Sequence, residues 1–219
     1  MTFEIKSIIQ TMVNGSSEMV INLSMAIVGI LFNYQLMKYS GENGVAAYGV
    51  IQAVALIYMG MFQGYSIGVI PVIGYQFGAG NKEEIRSLLA KSLRIVSCMG
   101  VILFIALEMS VGGVVKIFVG YDDELSMLSA NGLRIYSTVM LFAGLNIFAS
   151  GFFTALNDGL NSALISFVRT MVFLVAFVLL LPVFFGINGI WISTTAAEVL
   201  AVIVSAVILI RNRDRYTVC

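Results

Sequence analysis

The sequence predicts an all-α integral membrane protein with six transmembrane helices and both termini in the cytosol. Of its 219 residues, 59% are hydrophobic and only 11% are charged, whereas an average soluble domain is about 45–50% apolar and about 25% charged. So few charged side chains could not cover the surface of a water-soluble globule. In addition, six apolar runs are long enough to cross the roughly 30 Å hydrocarbon core of a bilayer.

The predicted helices are separated by short segments that contain glycine or charged residues. They cover residues 16–39, 45–78, 94–119, 126–155, 160–184 and 187–210. Residues 15–211 therefore form one transmembrane lobe, and residues 212–219 form a cytosolic tail. Residues 1–14 are predicted to be an amphipathic segment in the membrane interface, because one helical face carries Ile5, Ile8, Ile9, Met12 and Val13.

The orientation follows from lysine and arginine, which favour the cytosolic side of a membrane. The N-terminal segment, the loop before the third span and the C-terminus together carry eight lysines and arginines, whereas the opposite loops carry only Lys38 and Lys116. This imbalance places both termini in the cytosol.

Polar side chains within the spans indicate a cavity or contacts between helices, because such groups are costly in lipid. Those that share a helical face are candidates to line a cavity. They are Asn22 and Asn33 in the first span, Gln52 and Gln63 in the second, and Asn146 and Ser150 in the fourth. Hydrogen bonding between helices explains any single set, whereas polar faces on five of the spans favour a shared cavity.

The second span also contains glycines at four-residue spacing, Gly60, Gly64 and Gly68, followed by Pro71. Small residues at this spacing allow close approach of two helices, and a proline removes a backbone hydrogen bond and kinks its helix. We therefore expect close packing at the glycines and a kink at Pro71. The kink could serve packing or gating equally well.

Four charged residues within the spans are predicted to form two ion pairs. Arg169 and Glu198 lie at similar depth on consecutive antiparallel helices, and so do Glu108 and Arg134 in the outer half of the membrane. Pairing would lower the cost of burying each charge. Either pair could hold the helices together or take part in function.

Glu18 lies near the cytosolic start of the first span and has no evident partner. One interpretation is a carboxylate stabilised by the positive end of its helix. The other is a carboxylate that binds a proton or a cation. The residue pattern does not favour one over the other.

The composition argues against several classes of protein. The chain has no histidine, which removes the Ser-His-Asp and Cys-His arrangements and most sets of metal ligands. We therefore expect neither an enzyme with catalytic residues nor a metal site. The 12 basic and 12 acidic residues leave no basic surface for nucleic acid, and Cys98 and Cys219 form no disulfide framework.

Five short sequence motifs follow one another along the chain. They are Asn14-Gly15-Ser16-Ser17-Glu18, Gly44-Val45-Ala46-Ala47-Tyr48, Gly74-Tyr75-Gln76-Phe77-Gly78-Ala79-Gly80-Asn81, Leu133-Arg134-Ile135 and Phe185-Gly186-Ile187-Asn188-Gly189-Ile190-Trp191. Each string alone is weak. The ordered set resembles the second half of the MATE (multidrug and toxic compound extrusion) transporters, and within them a bacterial branch, over essentially the whole chain.

The resemblance implies a twelve-helix antiporter of the bacterial cytoplasmic membrane that exports amphiphilic organic cations in exchange for H⁺ or Na⁺. This chain would be its C-terminal six-helix lobe, with no cofactor other than the coupling ion. Glu18 matches an acidic residue implicated in cation coupling, whereas Ala143 stands where Na⁺-coupled members have an aspartate. Candidates for aromatic contacts to the substrate are Tyr48, Tyr58 and Tyr65.

One lobe cannot alternate between two orientations by itself, so the resemblance implies a partner as well as the lipid bilayer. The partner lobe could be a second copy of this chain in a homodimer, or a separately encoded chain. Alternatively, the chain is a truncated fragment or assembly module that does not transport. A further alternative is a lipid-linked saccharide flippase of the same superfamily, which the scarcity of intramembrane arginine disfavours.

Overall fold

The computed structural model describes the backbone of residues 5–212 and the side chains of residues 23–212. Within these residues every regular element is a helix, as the sequence predicts. The elements are α1 (Ile5–Gly78), α2 (Lys82–Val119), α3 (Asp123–Ser137), α4 (Met140–Ala155), α5 (Gly159–Phe167), a π-helical segment (Val168–Leu174), α6 (Val175–Phe185) and α7 (Ile187–Arg211).

Helix α1 folds back on itself at Gly41, where φ is 61° and ψ is −150°. Only glycine adopts these angles without strain. Phe32 and Tyr48 stack with their ring centroids 5.1 Å apart, although 16 residues of straight helix would separate them by about 24 Å. Residues 5–40 and 42–78 are therefore two antiparallel limbs of a helical hairpin, which agrees with the predicted break between the first two spans.

By length and composition, four helices could cross a membrane, or up to five if α3 and α4 count as one bent span. The four begin at Leu23, Lys82, Gly159 and Ile187, and the first of them contains the fold at Gly41. These helices make the chain a multi-pass membrane protein. The count of six and the cytosolic position of the termini remain predictions.

The fourth predicted span, 126–155, is not one helix. It is divided into α3 and α4, which meet at an angle of 51°. At the bend the hydroxyl of Thr138 donates to the carbonyl of Ile135 at 2.7 Å, and the hydroxyl of Ser137 lies 2.6 Å from the carbonyl of Arg134. Such bonds from Ser and Thr to the preceding turn bend helices. The prediction of an uninterrupted helix is therefore wrong.

Helix α2 begins at Lys82, well before the predicted start at residue 94. The Asn81 side chain caps it by accepting from the backbone N–H of Glu84 at 3.2 Å. The negative charges of Glu83 and Glu84 in the first turn interact favourably with the positive end of the helix dipole. Its 38 residues span about 57 Å, so the helix extends beyond the hydrocarbon core.

The glycines of the second span do not pack against another helix. A Cβ atom added at Gly60, Gly64 or Gly68 would meet no atom within 4 Å in the described part of the chain. The prediction of close packing there is wrong. The close approach lies instead at Gly144 on α4, where an added Cβ would stand 2.5 Å from the ring of Phe62.

Pro71 lies within α1 and is exposed. The backbone angles of α1 leave the helical range at Gly41 and not at Pro71, so the proline does not break its helix, and the kink expected there stays a prediction. A proline lacks the N–H that would bond to the preceding turn.

Candidate functional site

A cavity of about 350 Å³ lies between the two limbs of α1, the π-helical segment and α7. Its mouth is formed by exposed side chains, among them Met25, Gln52, Leu56 and Gln63. Its polar side chains come from three elements. They are Gln52 and Gln63 on the C-terminal limb of α1, Arg169 and Thr170 in the π-helical segment, and Thr194 and Glu198 on α7. The cavity therefore opens on the face where the C-terminal limb of α1 is uncovered.

An ion pair lies in the wall of this cavity. The Nε atom of Arg169 stands 3.1 Å from Oε1 of Glu198, and the exposed fractions of the two side chains are 23% and 6%. This is the pairing that the sequence predicts for these two residues. The difference in exposure means that Glu198 is buried within the wall, whereas part of Arg169 faces the cavity.

Asn146 on α4 holds the second oxygen of the buried carboxylate. Its Nδ2 donates to Oε2 of Glu198 at 2.7 Å and to the backbone carbonyl of Glu198 at 3.0 Å. Its Oδ1 accepts from the hydroxyl of Ser205 at 3.0 Å. Both carboxylate oxygens of Glu198 are thus bonded, as a buried charge requires.

Arg169 lies in the π-helical segment Val168–Leu174. Such segments are rare, and they occur frequently at functional sites. The fifth predicted span, 160–184, therefore exists as a helical stretch interrupted by a widened turn. Thr170, in the same turn, is buried and also lines the cavity.

Aromatic rings form another part of the cavity wall. Tyr48 stacks between Phe32 and Trp191, with ring centroids 5.1 and 6.5 Å apart and interplanar angles of 9° and 25°. Tyr136, next to the α3–α4 bend, also lines the cavity. The wall thus offers flat apolar faces beside an ion pair, an arrangement typical of sites for amphiphilic ligands.

The structure separates the predicted cavity-lining residues into two groups. Gln52 and Gln63 line the cavity. Asn146 does not line it but is buried behind it, bonded to Glu198. Asn33 is exposed and donates to the carbonyl of Gly29 at 2.8 Å, outside the cavity. The predictions for Glu18 and Asn22 fall outside the part of the chain whose side chains are described.

Ser150 belongs to a separate cluster of hydroxyl groups between α4 and α5. Its Oγ lies 2.9 Å from Oγ of Ser162 and 2.9 Å from Oγ of Ser166, and Thr154 lies 2.8 Å from Ser162. This cluster joins two consecutive helices through hydrogen bonds. Ser150 therefore has the contacts of a packing residue, and the prediction that it lines the cavity is wrong.

The predicted pair of Glu108 and Arg134 is not formed. Oε1 of Glu108 accepts instead from the hydroxyl of Ser137 at 2.6 Å, and Arg134 is exposed. Similar depth along the membrane normal is not sufficient for pairing, because each side chain must also lie on the facing side of its helix. Here the rotation of α3 directs Ser137 toward Glu108.

Two of the three predicted aromatic candidates lie elsewhere. Tyr58 bonds to Ser110 at 3.3 Å and Tyr65 bonds to Ser92 at 3.0 Å, and only Tyr48 lines the cavity. Tyr136 and Trp191, which do line it, were not predicted. The available signal was that Trp191 is the single tryptophan of the chain and sits among the strings of the resemblance.

Comparison with known proteins supports the fold. The MatE family model matches residues 18–180. Multidrug export protein MepA of Staphylococcus aureus (strain MW2) is 24% identical over 208 residues, which cover 93% of this chain and 44% of that protein. The MepA of Staphylococcus haemolyticus is 25% identical over 199 residues, covering 89% and 42%.

Solved structures of MATE transporters share the architecture. A MATE in the bent conformation has a TM-score of 0.87 at 19% identity, covering 99% of this chain and 47% of that one. The outward-facing conformation of a multidrug resistance MATE family transporter has a TM-score of 0.86 at 19% identity, covering 99% and 49%. The chain thus spans about half the length of the curated relatives and structures that it matches.

Proposed function

Since the chain belongs to the MatE family of membrane transporters, we propose that it acts as one lobe, equivalent to the C-terminal half, of a multidrug efflux antiporter. The lobe would export amphiphilic organic cations in exchange for H⁺ or Na⁺. The observation that carries this proposal is the cavity: a polar and aromatic pocket, open on one side, within a bundle of apolar helices. Charged groups inside a membrane domain mark substrate or ion pathways by default.

The proposed topology has six crossings with both termini in the cytosol of a bacterial cell. Counting the two limbs of α1 separately raises the five candidate spans to six, and the fold at Gly41 supports that division. An even number of crossings places both ends on one side. The excess of lysine and arginine assigns that side to the cytosol.

The proposed partner is a second lobe that closes the open side of the cavity. The exposed side chains of Gln52, Leu56 and Gln63 at the mouth would face it. A second copy of this chain or a separately encoded lobe would supply it, and rocking of the two lobes would alternate the access. Chemical cross-linking in membranes distinguishes the two, because a homodimer yields a product of twice the chain's mass.

Glu18 is the proposed coupling residue. Within the described part of the chain, Glu198 is the only carboxylate of the cavity wall, and both of its oxygens are already bonded. Position 143, where Na⁺-coupled relatives are expected to carry an aspartate, holds a fully buried alanine. A coupling ion therefore needs a carboxylate from elsewhere, and the sequence offers Glu18, seven residues before the cavity-lining Met25.

The half-length match favours a second candidate, a membrane module that inserts but transports nothing by itself. Ethidium efflux from bacteria that express only this chain tests both candidates. The antiporter proposal predicts efflux that Glu18→Gln abolishes and that the matched control Glu42→Gln, at an exposed residue of the hairpin turn, leaves unchanged. Absence of efflux from the wild-type chain, at confirmed membrane expression, would contradict autonomous transport and support the module.

A further inference from the structure

Within the described part of the chain, the cavity offers the N–H donors of the positively charged Arg169 and no carboxylate that is free to contact a ligand. Within the described part of the chain, Arg169 has one partner, Glu198, which it reaches through Nε. The guanidinium group carries five N–H donors in a planar fork, so those on its two terminal nitrogens remain available. Since 23% of the side chain is exposed and Arg169 lines the cavity, these donors can reach a ligand there.

Glu198, the anionic partner in the cavity wall, has no carboxylate oxygen left for a ligand. Oε1 of Glu198 is occupied by Arg169, Oε2 by Asn146, and the side chain is 6% exposed. A ligand that approaches the pair from the cavity meets the guanidinium first. The pair is neutral as a whole, but its accessible side is positive.

We propose that Arg169 is a binding site for an oxyanion carried by an aromatic ligand, specifically a carboxylate attached to a planar ring system. The free fork of the guanidinium matches a carboxylate in bidentate geometry. The stacked rings of Phe32, Tyr48 and Trp191 supply a flat apolar wall in the same cavity. This inference rests on the proposed function in taking the cavity as the substrate site, and it assigns to Arg169 the acid group of a substrate that bears one.

The π-helical segment supports this assignment. It places Arg169 in a widened turn together with Thr170, which also lines the cavity. The intramembrane position excludes much of the competing water, which strengthens hydrogen bonds between charged groups. The contact with Glu198 orients Arg169 through Nε and leaves its terminal nitrogens unused within the described part of the chain.

Trp191 provides the measurement. It is the only tryptophan of the chain and lines the cavity, and anthracene absorbs where tryptophan emits. Quenching of its fluorescence in the detergent-solubilised full chain therefore reports binding of 9-anthracenecarboxylate. The matched probe 9-anthracenemethylammonium has the same ring and the opposite charge. We expect the carboxylate to bind at least about tenfold more tightly than the ammonium probe.

The double variant Arg169→Gln/Glu198→Gln removes both charges together and so avoids an unpaired buried carboxylate. It should weaken carboxylate binding about tenfold or more and leave the ammonium probe within about twofold. Arg134→Gln, which removes an exposed arginine outside the cavity, should change neither. Equal binding of the two probes by the wild-type chain, or an unchanged carboxylate affinity in the folded double variant, would overturn the proposal.

The binding assay does not depend on transport, so the two proposals can fail separately. Carboxylate binding through Arg169 in a chain that exports nothing would contradict the transport proposal alone. Efflux of ethidium by a chain that does not discriminate between the two probes would contradict the oxyanion site alone.

Discussion

Removing Arg169 should destabilise the bundle more than removing the charge of Glu198. In Arg169→Met the carboxylate of Glu198 stays ionised or must take up a proton in a wall where it is 6% exposed, and breaking a buried pair in this way costs about 3–5 kcal/mol. In Glu198→Gln the guanidinium loses a partner but retains access to the cavity, since Arg169 is 23% exposed. We expect a smaller cost of about 1–2 kcal/mol.

The double variant Arg169→Met/Glu198→Gln should be more stable than Arg169→Met alone. The amide of a glutamine at position 198 can still accept from Asn146, which donates to Oε2 at 2.7 Å in the wild type, and no charge remains in the wall. The double variant should therefore lie within about 1 kcal/mol of the wild type, because neutral replacement of a buried pair costs little.

Unfolding in detergent micelles, followed by helical circular dichroism against denaturant, measures these differences. Arg134→Met serves as control, since Arg134 is exposed and has no ion-pair partner within the described residues; it should change the free energy of unfolding by less than about 0.5 kcal/mol. If Glu198→Gln fails to recover any of the stability lost in Arg169→Met, the two residues do not act as a pair and the reasoning is refuted.

A charge swap tests the same pair in the opposite sense. In Arg169→Glu/Glu198→Arg the ion pair can form again, but Asn146 would direct its Nδ2 toward a guanidinium instead of a carboxylate. That nitrogen is held by the backbone carbonyl at position 198 as well, at 3.0 Å, so the amide cannot turn without losing a bond. We expect partial recovery of stability relative to either single reversal, and no recovery at all would count against pairing.

Four further substitutions probe the packing of the bundle, each read out by the free energy of unfolding in detergent. Asn146→Ala removes the amide that donates to the buried carboxylate and should cost about 1–3 kcal/mol. Gly144→Ala directs a methyl group to within 2.5 Å of the Phe62 ring and should also cost about 1–3 kcal/mol, whereas Gly64→Ala, which meets open space, should be neutral or stabilise by up to about 1 kcal/mol. Gly41→Ala should cost about 1–3 kcal/mol, because φ of 61° and ψ of −150° strain any other residue.

Hydrophobic run lengths and turn residues predicted most of the helices. The hairpin at Gly41 and the junction at Gly186, where φ is 56°, both fall where glycine separates apolar runs. The bend between α3 and α4 escaped prediction for a physical reason. Ser137 and Thr138 are compatible with a straight membrane helix, and the bond from Thr138 to the preceding turn, which accompanies the bend, depends on the surrounding packing.

The site illustrates which part of a contact a sequence can specify. Counting residues from the membrane surface predicts which side chains lie at similar depth, and the pair that it predicts for Arg169 and Glu198 is formed. It was not sufficient for Glu108 and Arg134, because the rotation of each helix depends on all its neighbours. The glycine series in α1 shows the same limit, since its spacing identifies a smooth helix face but not what lies against that face.

The charge arrangement also constrains how this lobe could handle a cationic substrate. With both oxygens of Glu198 bonded, the described wall attracts a cation only through the faces of its aromatic rings, while Arg169 repels it. Under the proposed function, a purely cationic ligand would find its carboxylate at Glu18 or on the proposed partner lobe. A zwitterionic ligand is accommodated more completely, because its acid group can reach Arg169 while its amine points toward the open side of the cavity. If this division is correct, Glu18→Lys should abolish export of ethidium but spare binding of 9-anthracenecarboxylate.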